Sequence, residues 1–439
     1  MRRILLLITD LQIGGTPTVV RELALRLAAG GDAQVEVACL APWGPVAEEI
    51  SAGGVAVTPL DARGAASLPL IVWRLARLVR SHKIDVVFSL LVHANLTAAL
   101  ASWLCPGVRW LQSIQTTQPY PAWHWRVQAL AGRRAEKIVV PSESVAAAAR
   151  DWARTPAGKI VVIPNAVALE HFSGWCCGER GLQASRPNDP ECLARDSVVK
   201  NALDPERPMP ASSGGESGSC EYRRIGVANT DARDEFGPSN QPEGDPIEKV
   251  SDPIFKDTAR MKGPAPRIGF IGRLDPIKRI GDLIDAMQWL DPAVELHIYG
   301  EGAERATLQA TIDRVGLAPR VRLHGAIARA DAALAAIDLL ALPSMAEGFG
   351  LVLIEAMAAG VPVVATDVPG IRDVVLHDQT GVLVPVASPK ALAGAIAALL
   401  SDPQRRATLA AAALTDVRRR FSWETVLPMY RDLLGISSG

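Results

Sequence analysis

Two glutamates, Glu347 and Glu355, stand eight residues apart in the segment PSMAEGFGLVLIEAMAAGVPVVATDVPG, residues 343–370. Gly348 and Gly350 follow the first of them. Small residues let a backbone approach a ligand closely, and the free amides at a helix start suit a phosphate. A carboxylate about a turn into that helix can accept two hydrogen bonds from a ribose diol, as acidic residues do in dinucleotide folds. Glu355 is placed for that role if LVLIEAMAAG is a helix. Glu347, in the preceding loop, can then face whatever lies beyond the phosphates, such as a sugar. The plainer reading is that both carboxylates only stabilise the helix N-terminus.

A second phrase supplies the opposite charge. In RIGFIGRLDPIKRIGDLIDAM a short apolar run ends at Gly272, and Arg273 and Lys278 follow before the next helical pattern. Both cations fall at the carboxyl end of an expected parallel strand, where open α/β sheets bind ligands. Arginine offers a fork and lysine a point charge, so together they can clamp a diphosphate and neutralise it as a leaving group. Near the start of the chain, Gly14 and Gly15 open a loop after a first apolar run, a weaker signal that also fits a simple turn. His93, in LVHANL, stands at the carboxyl end of another expected strand, where it too can face a ligand.

These residues need strand ends to present them. Seven short apolar runs precede residue 165: RILLLI, QVEVACL, VAVT, IDVVFS, VRWLQSI, EKIVVPS and KIVVIP. Six more follow residue 265: RIGFIG, VELHIYG, VRLHG, IDLLALP, VPVVAT and GVLVPV. Helical patterns separate most of them. Buried runs alternating with helices predict βαβ units and parallel sheets, and two such series predict two doubly wound, Rossmann-like domains. Between the series, residues 173–265 are rich in Pro, Gly, Ser, Asp and Glu and lack periodicity. That composition buries too little apolar surface to offset backbone ordering, so a disordered insertion is expected there.

Composition narrows the function classes. The chain has 439 residues, more than one ordinary core, with 46 Lys+Arg against 47 Asp+Glu. That balance gives no basic field for a nucleic-acid backbone, so no nucleic-acid partner is expected. The six cysteines include no CxxC pair, and the seven histidines show no zinc spacing, so neither a disulfide scaffold nor a metal site is expected. A reduced, cytoplasmic setting follows from that cysteine usage. The N-terminal MRRILLLITD carries Asp10 too early for a secretory core.

The motifs together resemble the retaining GT-B glycosyltransferases of family 4, the "glycosyl transferases group 1" set. The resemblance rests on the two glutamates, GRLDPIK, IYGEGAE, LHGAI, the 343–370 phrase and IPNAV between the two series. It covers both ends of the chain but not residues 173–265. It implies the GT-B arrangement, two Rossmann-like domains facing a cleft, with residues 1–165 as an acceptor-side domain, 266–420 as a donor-binding domain, and a C-terminal helix within about 421–439 that packs back on the first domain. It implies a hexosyltransferase-type enzyme that moves a sugar from a UDP- or GDP-sugar with retention of anomeric configuration and no cofactor or bound metal. The acceptor would be a glycan, a lipid-linked molecule or a small molecule, in cell-envelope polysaccharide or glycolipid synthesis. Arg273 and Lys278 would hold the diphosphate, Glu355 the ribose and Glu347 the donor sugar. The amides around Phe349, Gly350 and Leu351 would lie near sugar and phosphates, Gly325 would line the base pocket, and Gly14 and Gly15 would sit near phosphate and acceptor.

One departure stands out. Where many members carry a histidine aimed at the reaction centre, this chain reads SIQTTQ, with Gln115 at the matching place. Glutamine can hydrogen-bond a sugar but cannot carry a proton. A GT-B protein that binds a nucleotide-sugar or glycan without catalysis therefore stays open as an alternative, as does another GT-B chemistry such as a nucleotide-sugar epimerase. The acceptor side carries two basic stretches with tryptophan, SLPLIVWRLARLVRSHK and PYPAWHWRVQALAGRRAEK. Such helices can lie on an anionic membrane, which makes peripheral membrane contact an expectation, or simply pack on a sheet with a solvated basic face.

Overall fold

In the computed structural model, which describes residues 1–172 and 265–436, every one of the thirteen apolar runs is a strand. The first seven are β1 (Arg2–Ile8), β2 (Ala33–Cys39), β3 (Ala56–Pro59), β4 (Val86–Leu90), β5 (Arg109–Ser113), β6 (Lys137–Val140) and β7 (Ile160–Val162). They form one parallel sheet in the order β3-β2-β1-β4-β5-β6-β7. The remaining six are β8 (Arg267–Ile271), β9 (Glu295–Tyr299), β10 (Val321–Gly325), β11 (Leu339–Leu342), β12 (Val363–Thr366) and β13 (Val382–Val384), in the order β10-β9-β8-β11-β12-β13. The expected pair of doubly wound sheets is thus present, and the described residues belong to one compact unit. The expected disorder of residues 173–265 falls, apart from residue 265, outside the described residues.

The continuous apolar runs are explained by burial on both faces. In β1, Ile4, Leu6 and Ile8 join a core with the helix Gly15–Ala29, while the alternate residues Leu5 and Leu7 join another with the helix Leu68–Ser81. In each sheet the strand order reverses beside the first strand, at β1/β4 and at β8/β11. Ligands of open α/β sheets bind outside the carboxyl ends at such points. The segments that follow these strands carry Gly14 and Gly15 after β1, at the start of the helix Gly15–Ala29, and His93 after β4, in the first turn of the helix Val92–Ala101; Arg273 and Lys278 follow β8, and Glu347 follows β11.

The last helix, Trp423–Leu434, buries Trp423, Val426, Tyr430 and Leu434 at three- and four-residue spacing, the period of one helix face. That face joins the core of Ile4, Leu6 and Ile8 in the first sheet. Ser422 caps the helix by accepting a hydrogen bond from the Thr425 amide at 3.3 Å. One residue earlier, the Phe421 carbonyl accepts from the Val167 amide at 2.8 Å, so the segment IPNAV and the entry to this helix run side by side. Among the described residues, no helix is long and apolar enough to cross a membrane.

The Tyr430 hydroxyl is buried with no hydrogen-bond partner among the described residues. An unpaired buried hydroxyl costs free energy, whereas the ring around it contributes packing. Trp423→Ala should therefore cost roughly 3–5 kcal/mol in denaturant unfolding. Tyr430→Phe should leave stability equal or slightly higher, and a loss beyond about 1 kcal/mol would show that the hydroxyl is paired after all.

Candidate active site

The carboxyl ends of β8, β9 and β10 are drawn tightly together. The Gly272 amide donates to the Tyr299 carbonyl at 3.0 Å, and the Gly300 amide to the Gly325 carbonyl at 2.7 Å. A Cβ on Gly300 would run into the Gly272 carbonyl oxygen, so only glycine fits that crossing. Gly325 ends β10 at φ +86°. Beside it, His324 stacks on Tyr299 with centroids 4.5 Å apart and on His297 at 5.0 Å. His324 Nε2 lies 2.9 Å from His297 Nδ1, so one of the two nitrogens donates to the other. Burial above all, with the neighbouring His297, pulls the His324 imidazole down to about 4 and keeps it neutral.

Arg273 and Lys278 take different partners. Arg273 keeps 70% of its side chain exposed and pairs with Asp275 at 2.7 Å. Lys278 ends the short turn Pro276–Lys278, and its ammonium sits on the Glu347 carboxylate. The Ser344 hydroxyl donates to the same Glu347 oxygen at 2.8 Å. The Met345 amide donates to the Ile277 carbonyl at 2.8 Å, which ties the loop after β11 to the loop after β8. Both members of the ion pair are largely enclosed, with side-chain exposures of 18% and 11%, so solvent screens them less than a surface pair.

The backbone of the Glu347 loop is held from the first sheet. The Thr117 hydroxyl donates to the Glu347 carbonyl at 2.6 Å, and the Ser142 hydroxyl to the Gly348 carbonyl at 3.1 Å. The Ser144 amide donates to Asp373 at 3.0 Å. A Cβ on Gly348 would strike the Gln115 carbonyl oxygen, so the two loops meet backbone to backbone. Phe349 is buried and meets Phe421 edge-on at 5.3 Å. Gly350, at φ +80°, starts the helix Leu351–Ala358. Leu351 lies close to Gly15, and a Cβ there would be 3.7 Å from its side chain, which brings the starts of the helices Gly15–Ala29 and Leu351–Ala358 together.

The two glutamates do not cap that helix. Glu347 is spent on Lys278 and Ser344, and Glu355 is the fifth helical residue. Glu355 forms no hydrogen bond or ion pair among the described residues. Burial, reinforced by Asp331, pushes its carboxyl up to about 7, against the opposing pull of Arg21 and Arg329. A half-buried carboxylate without a protein partner is the sort of group a hydroxyl-bearing ligand would satisfy.

On the first sheet, the Gln115 amide donates to the Ser113 hydroxyl at 2.7 Å, and its oxygen accepts from Asn165 at 3.2 Å. The glutamine is thereby tethered between the end of β5 and IPNAV. His93 is exposed and lies in an aromatic group with Trp123 and His124, at centroid distances of 6.1 and 6.2 Å. Burial, then His93, lowers the His124 pKa. Sequence reasoning missed Thr117, Ser142, Ser344, Asn165 and His124. Single hydroxyls and amides carry no spacing signal, although Ser344 stands within the 343–370 phrase.

A carboxyl pKa raised from the ordinary 4.5 to about 7 means that folding favours the protonated form. The stability is fully present below about pH 4.5 and is lost as pH rises through about 7. Glu355→Gln removes that loss. Urea midpoints measured near pH 5 and pH 8 should show a variant whose advantage over the parent grows with pH. A constant difference across that range would place Glu355 in a solvated, unperturbed environment.

Comparison with known proteins extends this geometry. Residues 253–415 match the family described as "Glycosyl transferases group 1", and residues 13–171 match "Glycosyltransferase Family 4". A D-inositol 3-phosphate glycosyltransferase of Kineococcus radiotolerans is 32% identical over 316 residues, covering 60% of this chain and 71% of that one. The corresponding protein of Xylanimonas cellulosilytica is 42% identical over 166 residues, 36% of this chain, and the match spans only 40% of its own length. A phosphatidyl-myo-inositol mannosyltransferase of Mycobacterium leprae is 39% identical over 173 residues, 37% of this chain and 45% of that protein. Among solved structures, Anabaena HepE in complex with UDP-glucose superposes with a TM-score of 0.74 at 21% identity, covering 99% of this chain and 100% of that one. The motifs, the two facing sheets and these matches agree, and the chain belongs to the GT-B glycosyltransferases of family 4.

Proposed function

We propose that this protein transfers a hexosyl group from a UDP- or GDP-sugar to a glycan, lipid-linked or small-molecule acceptor, with retention of anomeric configuration. The observation that carries this reading is the enclosed Lys278–Glu347 pair. It sets a cation at the carboxyl end of β8 beside a carboxylate in the glycine loop that leads into the helix Leu351–Ala358. In this reading Arg273 swings from Asp275 and joins Lys278 on the donor diphosphate, while Glu355 accepts the ribose hydroxyls. Glu347 contacts the donor sugar, the amides of Phe349, Gly350 and Leu351 border sugar and phosphates, and Gly325 borders the base. Gly14 and Gly15 close the site from the acceptor side, with His93 and Gln115 facing the acceptor.

The chemistry needs no proton carrier at position 115. The bond from the sugar's anomeric carbon to the diphosphate breaks, and the electron pair leaves on the phosphate oxygen. Lys278 and Arg273 stabilise that charge where it develops. The acceptor hydroxyl attacks from the same face, and its proton passes to the departing phosphate. Retention follows from that single-faced exchange. The site's contacts between the two sheets exclude water, which would otherwise intercept the activated sugar.

The relatives named for inositol phosphate and phosphatidyl-myo-inositol support a place in cell-envelope glycolipid or polysaccharide synthesis. Exposed Trp73, Trp103 and Trp123 on the acceptor side support peripheral contact with the cytoplasmic membrane face. The tethered Gln115 is the observation favouring the second reading, a GT-B binder without turnover.

Release of nucleoside diphosphate from a nucleotide-sugar only when acceptor is present separates the two readings. Lys278→Ala should lower that release by about 10²–10³-fold while melting cooperatively. Glu355→Gln should weaken nucleoside diphosphate and donor alike, whereas Glu347→Gln should impair the donor sugar alone. Near-normal turnover in Lys278→Ala would sink the assignment of the pair.

A further inference from the structure

A groove of about 620 Å³ is lined by residues of the helix Trp123–Gly132 together with Tyr120, Trp152 and Arg154. An adjoining hollow of about 380 Å³ shares Arg133 and Arg154 with it. The groove combines two kinds of wall. Trp125 and Trp152 meet edge-on at 5.1 Å, and Leu130 stands beside them, 56% exposed. Arg126, Arg133 and Arg154 supply the charge. None of the three guanidinium groups makes a hydrogen bond or ion pair among the described residues, and no acidic side chain lines either hollow. Lys159 differs, because its ammonium is committed to the carbonyls of Gly132, Arg133 and Ala135.

Arg154 adds an independent sign. It holds φ +50°, the left-handed region, just beyond the helix Glu143–Asp151, where glycine is the usual residue. The Thr155 amide closes that turn onto the Ala149 carbonyl at 3.0 Å. An arginine there bears a conformational cost that glycine would avoid, and what it gains is a free guanidinium at the groove.

The groove is also joined to the candidate active site. The Trp125 indole N–H donates to the Gln118 carbonyl at 2.8 Å. Gln118 follows Thr117, whose hydroxyl holds the Glu347 carbonyl. A ligand lying against Trp125 is therefore one loop away from the donor-binding glutamate.

We infer that this groove seats the phosphate-bearing end of an amphiphilic molecule, with the guanidinium forks on the phosphate and the indole and leucine walls on the apolar part. Planar arginine forks match phosphate oxygens, and the aromatic walls exclude a purely polar ion as the best occupant. The chain's net charge of −1 provides no long-range field for a nucleic-acid backbone. That this amphiphile is the sugar acceptor rests on the transferase reading above; the binding itself does not.

The test uses the full chain and decyl phosphate below its aggregation concentration, followed by tryptophan fluorescence and calorimetry. Inorganic phosphate and decyl maltoside serve as the polar-only and apolar-only comparators. Decyl phosphate should bind about tenfold or more tightly than either. Arg154→Gly deletes the guanidinium and relaxes the backbone, so its fold is not at risk. It and Arg133→Gln should each weaken decyl phosphate about tenfold and leave UDP affinity unchanged. Equal decyl phosphate affinity in parent and variants would overturn the proposal, as would a preference for decyl maltoside. Arginine-dependent sedimentation with phosphatidylglycerol vesicles, without binding of monomeric decyl phosphate, would overturn it in favour of a flat membrane-docking face. A parent protein that binds decyl phosphate but no nucleotide-sugar would leave the groove standing and remove the transferase reading.

Discussion

The Lys278–Glu347 ion pair is the contact on which the candidate site depends. A charged pair withdrawn from water is costly unless its geometry is good and its remaining lone pairs are satisfied. Here the Ser344 hydroxyl fills that need on the carboxylate, and the Met345–Ile277 hydrogen bond fixes the spacing between the two loops. The loop after β11 is thereby locked to the loop after β8, across the point where the second sheet reverses its strand order. Removing one partner would strand a charge in a largely enclosed place, which is why neither residue can be treated as a surface ion.

The same loop also carries the connection to the first sheet. Thr117 and Ser142 address the carbonyl oxygens of Glu347 and Gly348, and Gly348 is small enough to lie against the Gln115 backbone. These bonds use backbone acceptors that do not depend on side-chain identity in the loop, so the glutamate's carboxylate is left to Lys278 and Ser344. The return of the last helix onto the first sheet adds a second tie. Trp423 and Tyr430 enter the core of β1, while Phe421, just before the helix cap Ser422, meets Phe349 of the loop.

Electrostatics divides the site's ionisable groups by environment. Glu355 is pushed toward its neutral form by burial, and His324 is held neutral by burial and its neighbour. Lys278 and Glu347 satisfy each other instead. In the proposed reading, Glu355 would meet the ribose, Lys278 the diphosphate and the amides at the start of the helix Leu351–Ala358 the sugar and phosphates. On the other sheet, Arg126, Arg133 and Arg154, without a hydrogen bond among the described residues, border a groove with tryptophan walls.

The sequence by itself determined the strands: a strand buried on both faces must be apolar without alternation, as the runs at β1 and β11 are, and the shorter, less buried runs at the edges still stand out between helical patterns. It also determined the two series of βαβ units and, through GRLDPIK and the 343–370 phrase, the loops that carry Arg273, Lys278, Glu347 and Glu355. Family membership was legible for the same reason: backbone crossings such as Gly300 against Gly272 tolerate only one residue, so the motif is written in the sequence. What only the tertiary structure decided are the pairings. Lys278 bonds Glu347 across 69 positions and Thr117 reaches Glu347 across 230, separations at which no periodicity operates. Arg273 with Asp275, Gln115 between Ser113 and Asn165, and the lack of a partner for Glu355 among the described residues were likewise invisible, because spacing places a side chain on an element but not among its partners. The groove of Arg126, Arg133 and Arg154 was half visible, since the basic, tryptophan-bearing stretch stood out in the sequence. The left-handed turn at Arg154 that completes it exists only because the chain must leave one helix and re-enter the sheet at β7.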